Sequence, residues 1–91
     1  MQKLTLNDGT VLENSNAIED EESRSLFIYT NNEYTLKTVF DALYEPENIK
    51  KIVMSYVDDE DEVIVNTFKG YKRLVSVRDE GHGLVTAVLK K

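Results

Sequence analysis

The chain has 91 residues, 41% hydrophobic and 31% charged, which suits a single folded domain with one core (residues 1–91) and excludes a disordered segment. No apolar run approaches the roughly 18 residues that a membrane span needs, and Met1-Gln2-Lys3-Leu4-Thr5 alternates at once, unlike a signal peptide. There is no cysteine, so disulfides and thiolate chemistry are excluded, which is compatible with a reducing compartment. The net charge of −6 is unevenly spread: residues 1–62 carry −10 and residues 63–91 carry +4. This is the pattern of a bipolar surface or of two separately solvated halves.

Gln2-Lys3-Leu4-Thr5-Leu6 and Thr10-Val11-Leu12-Glu13 flank Asn7-Asp8-Gly9, a hairpin signal in which glycine supplies the positive φ. Of two registers, the one with Gly9 as a bulge pairs Leu6 with Thr10 and Leu4 with Leu12. It gathers Leu4, Leu6 and Leu12 on one face and is the preferred one. Asn14 to Arg24, with only Ala17 and Ile18 apolar, reads as an exposed loop. Ser25-Leu26-Phe27-Ile28-Tyr29-Thr30 is dense in β-favouring residues on both faces, so a central strand buried on more than one side is expected.

Asn31-Asn32 supplies a turn, and Thr35 is the expected N-cap of a helix through Tyr44. Leu36, Val39, Phe40, Leu43 and Tyr44 form one broad apolar stripe. About three turns cannot hold alone in water, so burial of Leu36, Phe40 and Leu43 on a sheet is expected. Lys37, Thr38, Asp41 and Glu45 would remain outside. Pro46 ends the helix. Ile52 to Val57, Val63 to Phe68, Tyr71 to Arg78 and Leu84 to Leu89 then read as four strands with short links, an antiparallel meander. The fold class predicted is α+β: about seven mostly antiparallel strands in a small barrel or sandwich with one helix packed on it, in the order βββαββββ. The competing arrangement is an open sheet with the helix across one face.

Catalytic signals are weak. His82, the single histidine, sits in Gly-His-Gly, which a turn explains. Ser55 and Ser76 lie inside strands without a nucleophile elbow. Asp58-Asp59-Glu60-Asp61-Glu62 has the carboxylates a hard cation wants but lacks the alternating ligands and mid-loop glycine of an EF-hand. An acidic turn that keeps flanking strands from associating is the plainer account. Lys69, Lys72, Arg73, Arg78, Lys90 and Lys91, with Phe68 and Tyr71, make a partial nucleic-acid signal. The acidic pI of about 4.7 and the alternation of Lys72 and Arg73 oppose it. Glu19-Asp20-Glu21-Glu22 and residues 58–62 together would imitate a phosphate row if they lay side by side. Tyr34 and Tyr71 border turns and are the tyrosines expected to be exposed, either as interface anchors or as caps on the ends of the core. The candidate interface residues are therefore Tyr34, Tyr71, Glu19, Asp20, Glu21, Glu22, Asp58, Asp59, Glu60 and Asp61.

Leu4-Thr5-Leu6-Asn7-Asp8-Gly9-Thr10-Val11, the central aromatic helix and the closing Phe68-Lys69-Gly70-Tyr71 and Leu84-Val85-Thr86-Ala87-Val88-Leu89-Lys90-Lys91 resemble uncharacterised proteins of Gram-positive phages and prophages. Such proteins often accompany tail and other virion genes, and tail-tube and head–tail-connector proteins likewise pair a small β-barrel or sandwich with one helix. The resemblance implies the cytoplasm of a bacterial host cell, or incorporation into a virion, and carries over no catalytic residue. The expected function is a non-catalytic protein–protein interaction module, tail- or virion-associated. Its expected partners are other proteins, including further copies of itself as a homo-oligomer. No enzyme activity, cofactor, metal, nucleic acid, membrane or small-molecule substrate is expected. The alternative is a small acidic inhibitor that occupies a basic site of a host defence or nucleic-acid enzyme.

Overall fold

The computed structural model describes residues 2–31 and 33–91. Among them are eight strands in two four-stranded antiparallel sheets, packed as a sandwich and not closed as a barrel, with one main helix between the fourth and fifth strands. Strands β1 (Lys3–Thr5) and β2 (Val11–Glu13) form the opening hairpin in the bulged register. Leu4 faces Leu12, and the Leu6 N–H donates to Thr10 O at 2.8 Å. Gly9 adopts φ +93°, which glycine takes without steric cost. Leu4, Leu6 and Leu12 are all buried.

Residues 14–24, expected as a loop, instead contain β3 (Ser15–Asp20), paired along its length with β4 (Ser25–Thr30). Asn14, at φ +54°, turns the corner out of β2. Ser15 and Ala17 are buried. They are small side chains that fill an inner face without writing an apolar run, so pairing overrides a weak strand propensity. β4 is central, lying between β3 and β8 (Leu84–Lys90). Its burial is one-sided, contrary to expectation: Leu26 and Ile28 are fully buried, while Tyr29 is 37% exposed. The helix packs on the inner side and leaves this outer face open.

Helix α1 (Leu36–Leu43) begins at Thr35, whose Oγ accepts the Thr38 N–H at 3.1 Å, the expected cap. Asn32, part of the expected Asn31-Asn32 turn, lies outside the described residues. α1 lies against β7 (Arg73–Gly81) and β8. Val39 and Leu43 are fully buried, but Leu36 (42%), Phe40 (39%) and Tyr44 (57%) are exposed, which corrects the expected burial of the whole stripe. At about 100° per residue the stripe is wider than the line along which a short helix meets a sheet. Only the part centred on Val39 and Leu43 reaches the core. Pro46 does end α1, and it also opens a second single-turn helix, α2 (Pro46–Ile49), at the first-turn position where a missing N–H costs nothing. That turn drops Ile49 into the core.

β5 (Lys51–Val57) and β6 (Val63–Lys69) form one hairpin, and β7 and β8 form another through His82 and Gly83, both at positive φ as in a type I′ turn. β6 and β7 do not pair, so the expected meander is broken. The sheet orders are β2-β1-β5-β6 and β3-β4-β8-β7. Gly70, at φ +88°, and the buried Tyr71 redirect the chain from one sheet to the other. Leu4, Leu12 and Ile52 of the first sheet meet Leu26, Ile28 and Leu89 of the second in the core. Each such side chain contributes roughly 1.5–3 kcal/mol by leaving water.

Candidate functional site

Tyr71, expected as an exposed anchor, is 1% exposed. A chain that must cross between sheets needs a wedge at the crossing, and the aromatic ring provides it. The hydroxyl donates to the Glu19 carboxylate and lies 3.5 Å from Ser25 O. Lys91 Nζ stands 5.2 Å from the ring centroid and 3.9 Å from Glu19. Burial pushes the Tyr71 phenol above its ordinary value, and the hydrogen bond to Glu19 and the charges of Glu19 and Glu21 add to the rise. The group is a protonated structural clamp. Tyr34 is half-buried, packs against the core and accepts the Glu13 N–H at 2.8 Å. It too is held by the fold and is not a free anchor.

The two acidic runs are not brought together. Ser15 N–H bonds Gln2 O, Ala17 N–H approaches Met54 Sδ at 3.4 Å, and Tyr71, just beyond β6, bonds Glu19. β3 therefore runs opposite to β5 across the sandwich. Its turn, with Asp20, Glu21 and Glu22 exposed, sits at the end where Lys51 faces Lys69. Residues 58–62 close the far end of the β5–β6 hairpin, roughly 20 Å along the strands. There Asp58 Oδ1 accepts the N–H groups of Glu60 and Glu62, each at 2.9 Å, so this carboxylate closes its own turn. Asp59, Glu60 and Asp61 are exposed. Among the described residues no cation pairs with this turn, and no group of three metal-ligating side chains converges.

Of the six basic residues in the nucleic-acid signal, all but Arg78 share one end of the sandwich: Lys69 faces Lys51, Arg73 faces Lys90, and the Lys72 N–H donates to Lys90 O at 2.8 Å. Lys90 Nζ donates to Ser23 O at 2.9 Å, Lys91 serves Glu19, and Arg78 lies 3.9 Å from Glu80. His82 is exposed at a turn tip. Ser55 and Ser76 sit on the outer faces of their sheets, paired in register with Val65 and Val88. A shallow hollow of about 400 Å³ crosses the outer face of the second sheet, bordered by Phe27, Tyr29, Arg78, Thr86 and Val88. Among the described residues, no helix is long and apolar enough to cross a membrane.

Two surfaces lie outside the candidate interface residues. One is the exposed side of α1, where Leu36, Phe40 and Tyr44 stand in line and the last two rings lie 5.0 Å apart. The other is the free edge of β6, with Val63 67% and Val65 56% exposed. The signal for the first was the stripe's excess width. For the second it was Val63-Ile64-Val65-Asn66-Thr67-Phe68, a β-favouring stretch without charge, proline or glycine. Comparison with protein-family models, with curated proteins and with solved structures finds no match.

Proposed function

We propose that this chain is a non-catalytic protein–protein interaction module of phage or prophage origin, associated with the tail or another part of the virion. The phage setting rests on the sequence resemblance. The interaction role is supported chiefly by one observation: α1 keeps Leu36, Phe40 and Tyr44 in solvent although the core closes without them. Aromatic side chains in a row supply apolar area with little rotamer entropy to lose, and a groove on another protein accepts such a helix face through i and i+4 anchors. A photo-crosslinking amino acid at position 40, in bacteria producing the virion, should give discrete adducts with virion proteins. The same group at Glu47, which is exposed and polar, should not. Equal labelling from both positions would remove the proposal.

The acidic-inhibitor reading draws on the turn at residues 58–62, which pairs with no cation among the described residues. With the two acidic runs at opposite ends, such an inhibitor would act through this turn alone. Adducts of a host nucleic-acid or defence enzyme from position 59, with none from position 40, would favour it over the virion role.

A further inference from the structure

We propose that β6 joins two copies of this chain, pairing antiparallel with itself about a two-fold axis at Asn66. The proposal accepts that the chain is an interaction module but places this contact on a different surface from α1. The ladder to β5 fixes which backbone groups are free. Asp58 N–H donates to Glu62 O at 2.9 Å and Gly70 N–H to Lys50 O at 3.3 Å, bracketing an unbroken register from Lys51↔Lys69 to Val57↔Val63. Hydrogen-bonded pairs alternate along an antiparallel ladder. Ile64, Asn66 and Phe68 therefore bond inward to β5, while Val63, Val65, Thr67 and Lys69 turn their N–H and C=O groups to the free edge.

Two such edges join only where outward-bonding residues face each other. Centring the pair on Asn66 achieves this over the whole strand: Val63 opposes Lys69 of the second copy, and Val65 opposes Thr67. Roughly eight hydrogen bonds form. Opposed residues share a face, so Ile64 meets Phe68 of the second copy on the inner side. Both are only half-buried in one chain, and Phe68 already packs on the core, so the pairing continues that core across the axis.

Charge selects the same arrangement. Within one chain Lys51 and Lys69 face each other across the strands, a like-charge pair that is unfavourable. Residues 58–62 close the other end of the hairpin with no cation against them among the described residues. The antiparallel pair sets the acidic turn of each copy beside the lysine end of the other. Both β6 edges are consumed, so the assembly closes as a dimer with one continuous eight-stranded sheet.

The chain has no cysteine, so Asn66→Cys introduces a single thiol at an exposed position. The proposal sets the two residues 66 opposite each other in a non-hydrogen-bonded pair, with Cα atoms about 4.5 Å apart, within disulfide range. Light scattering of the unmodified protein at high micromolar concentration should read twice the 10.4 kDa chain mass. Mild oxidation should convert Asn66→Cys, shown to be folded by circular dichroism, to a linked dimer. Thr67→Cys, whose two copies are offset along the strands beyond disulfide reach, should stay reduced. A monomer throughout, a dimer that Asn66→Cys does not link, or equal linkage of both variants overturns the proposal. Adducts from position 40 that persist in a monomer would leave the interaction role standing while removing this partner.

Discussion

The two long edge strands of this sandwich are built in opposite ways. β7 is broken twice, with register shifts between Leu74 and Ser76 and between Asp79 and Gly81. It carries Arg73, Arg78, Asp79 and Glu80, and α1 lies against it. Bulges, charges and a covering helix are the devices that stop a sheet edge from recruiting another strand. β6 lacks them from Val63 to Phe68: its register with β5 is unbroken, and its one charge is Lys69 at the strand end. Such a difference within one small fold teaches that openness at β6 is a local property of that strand's sequence and not of the sandwich as a whole. It also means that one edge can be altered without touching the other.

The largest effect is expected from stripping the cover off β7. Leu43 is fully buried where α1 meets the sheets, so Leu43→Ala removes a large side chain and leaves a cavity. The expected loss is about 2–5 kcal/mol in urea unfolding. If β7 owes part of its protection to α1, the variant should also aggregate near its unfolding midpoint, where the unmodified protein does not. Stability within about 0.5 kcal/mol of the original would mean that α1 is not seated as described.

Tyr71 lies in the link between the two edges and joins the two sheets. Tyr71→Phe keeps the ring and removes the hydroxyl that meets Glu19 and Ser25 O. About 1 kcal/mol should be lost at neutral pH. The phenol's proton is held more tightly in the fold than in the unfolded chain. Its contribution is therefore complete below the unfolded value near 10 and falls as the pH rises from there toward the folded value. Unfolding free energy followed from pH 8 to 12 should thus decline more steeply in the original protein than in Tyr71→Phe. Parallel curves would show that the phenol is not what titrates.

Much of the architecture was legible in the residues, and the failures share a cause. The bulged hairpin, the Thr35 cap and the central place of β4 follow from local chemistry: a glycine at positive φ, a hydroxyl before an apolar period, a dense β-favouring run. β3 was hidden because Ser15 and Ala17 are small residues whose burial depends on what packs over them. The break between β6 and β7 was hidden because Gly70 and Tyr71 look like any turn, and only the sandwich makes Tyr71 a buried wedge. The same reason misplaced the expected site. A tyrosine beside a turn is exposed in a flat sheet but enclosed where the chain crosses between two. The acidic runs were readable as runs, while their separation was set by strand direction across the layers, which no single segment encodes.

The smallest change in stability is expected from the pair of substitutions that compares the edges most directly. Val65 on β6 and Val75 on β7 are similarly exposed, at 56% and 51%. A lysine at either should shift the unfolding free energy by no more than about 0.5 kcal/mol, as for an ordinary surface change. Their effects on association should differ. Val65→Lys puts an ammonium beside the second copy's Thr67, close to its Lys69, on an edge whose own charge is confined to its last residue. Inward-facing or edge lysines are among the ways in which sheets avoid such pairing. Val75→Lys adds one more charge to an edge that already carries four and is bulged at that residue. Light scattering should therefore find Val65→Lys monomeric at concentrations where Val75→Lys and the unmodified protein are dimers. If both variants remain dimeric, β6 is not the contact; if both become monomeric, the two edges are not distinguished by their sequences in the way their geometry implies.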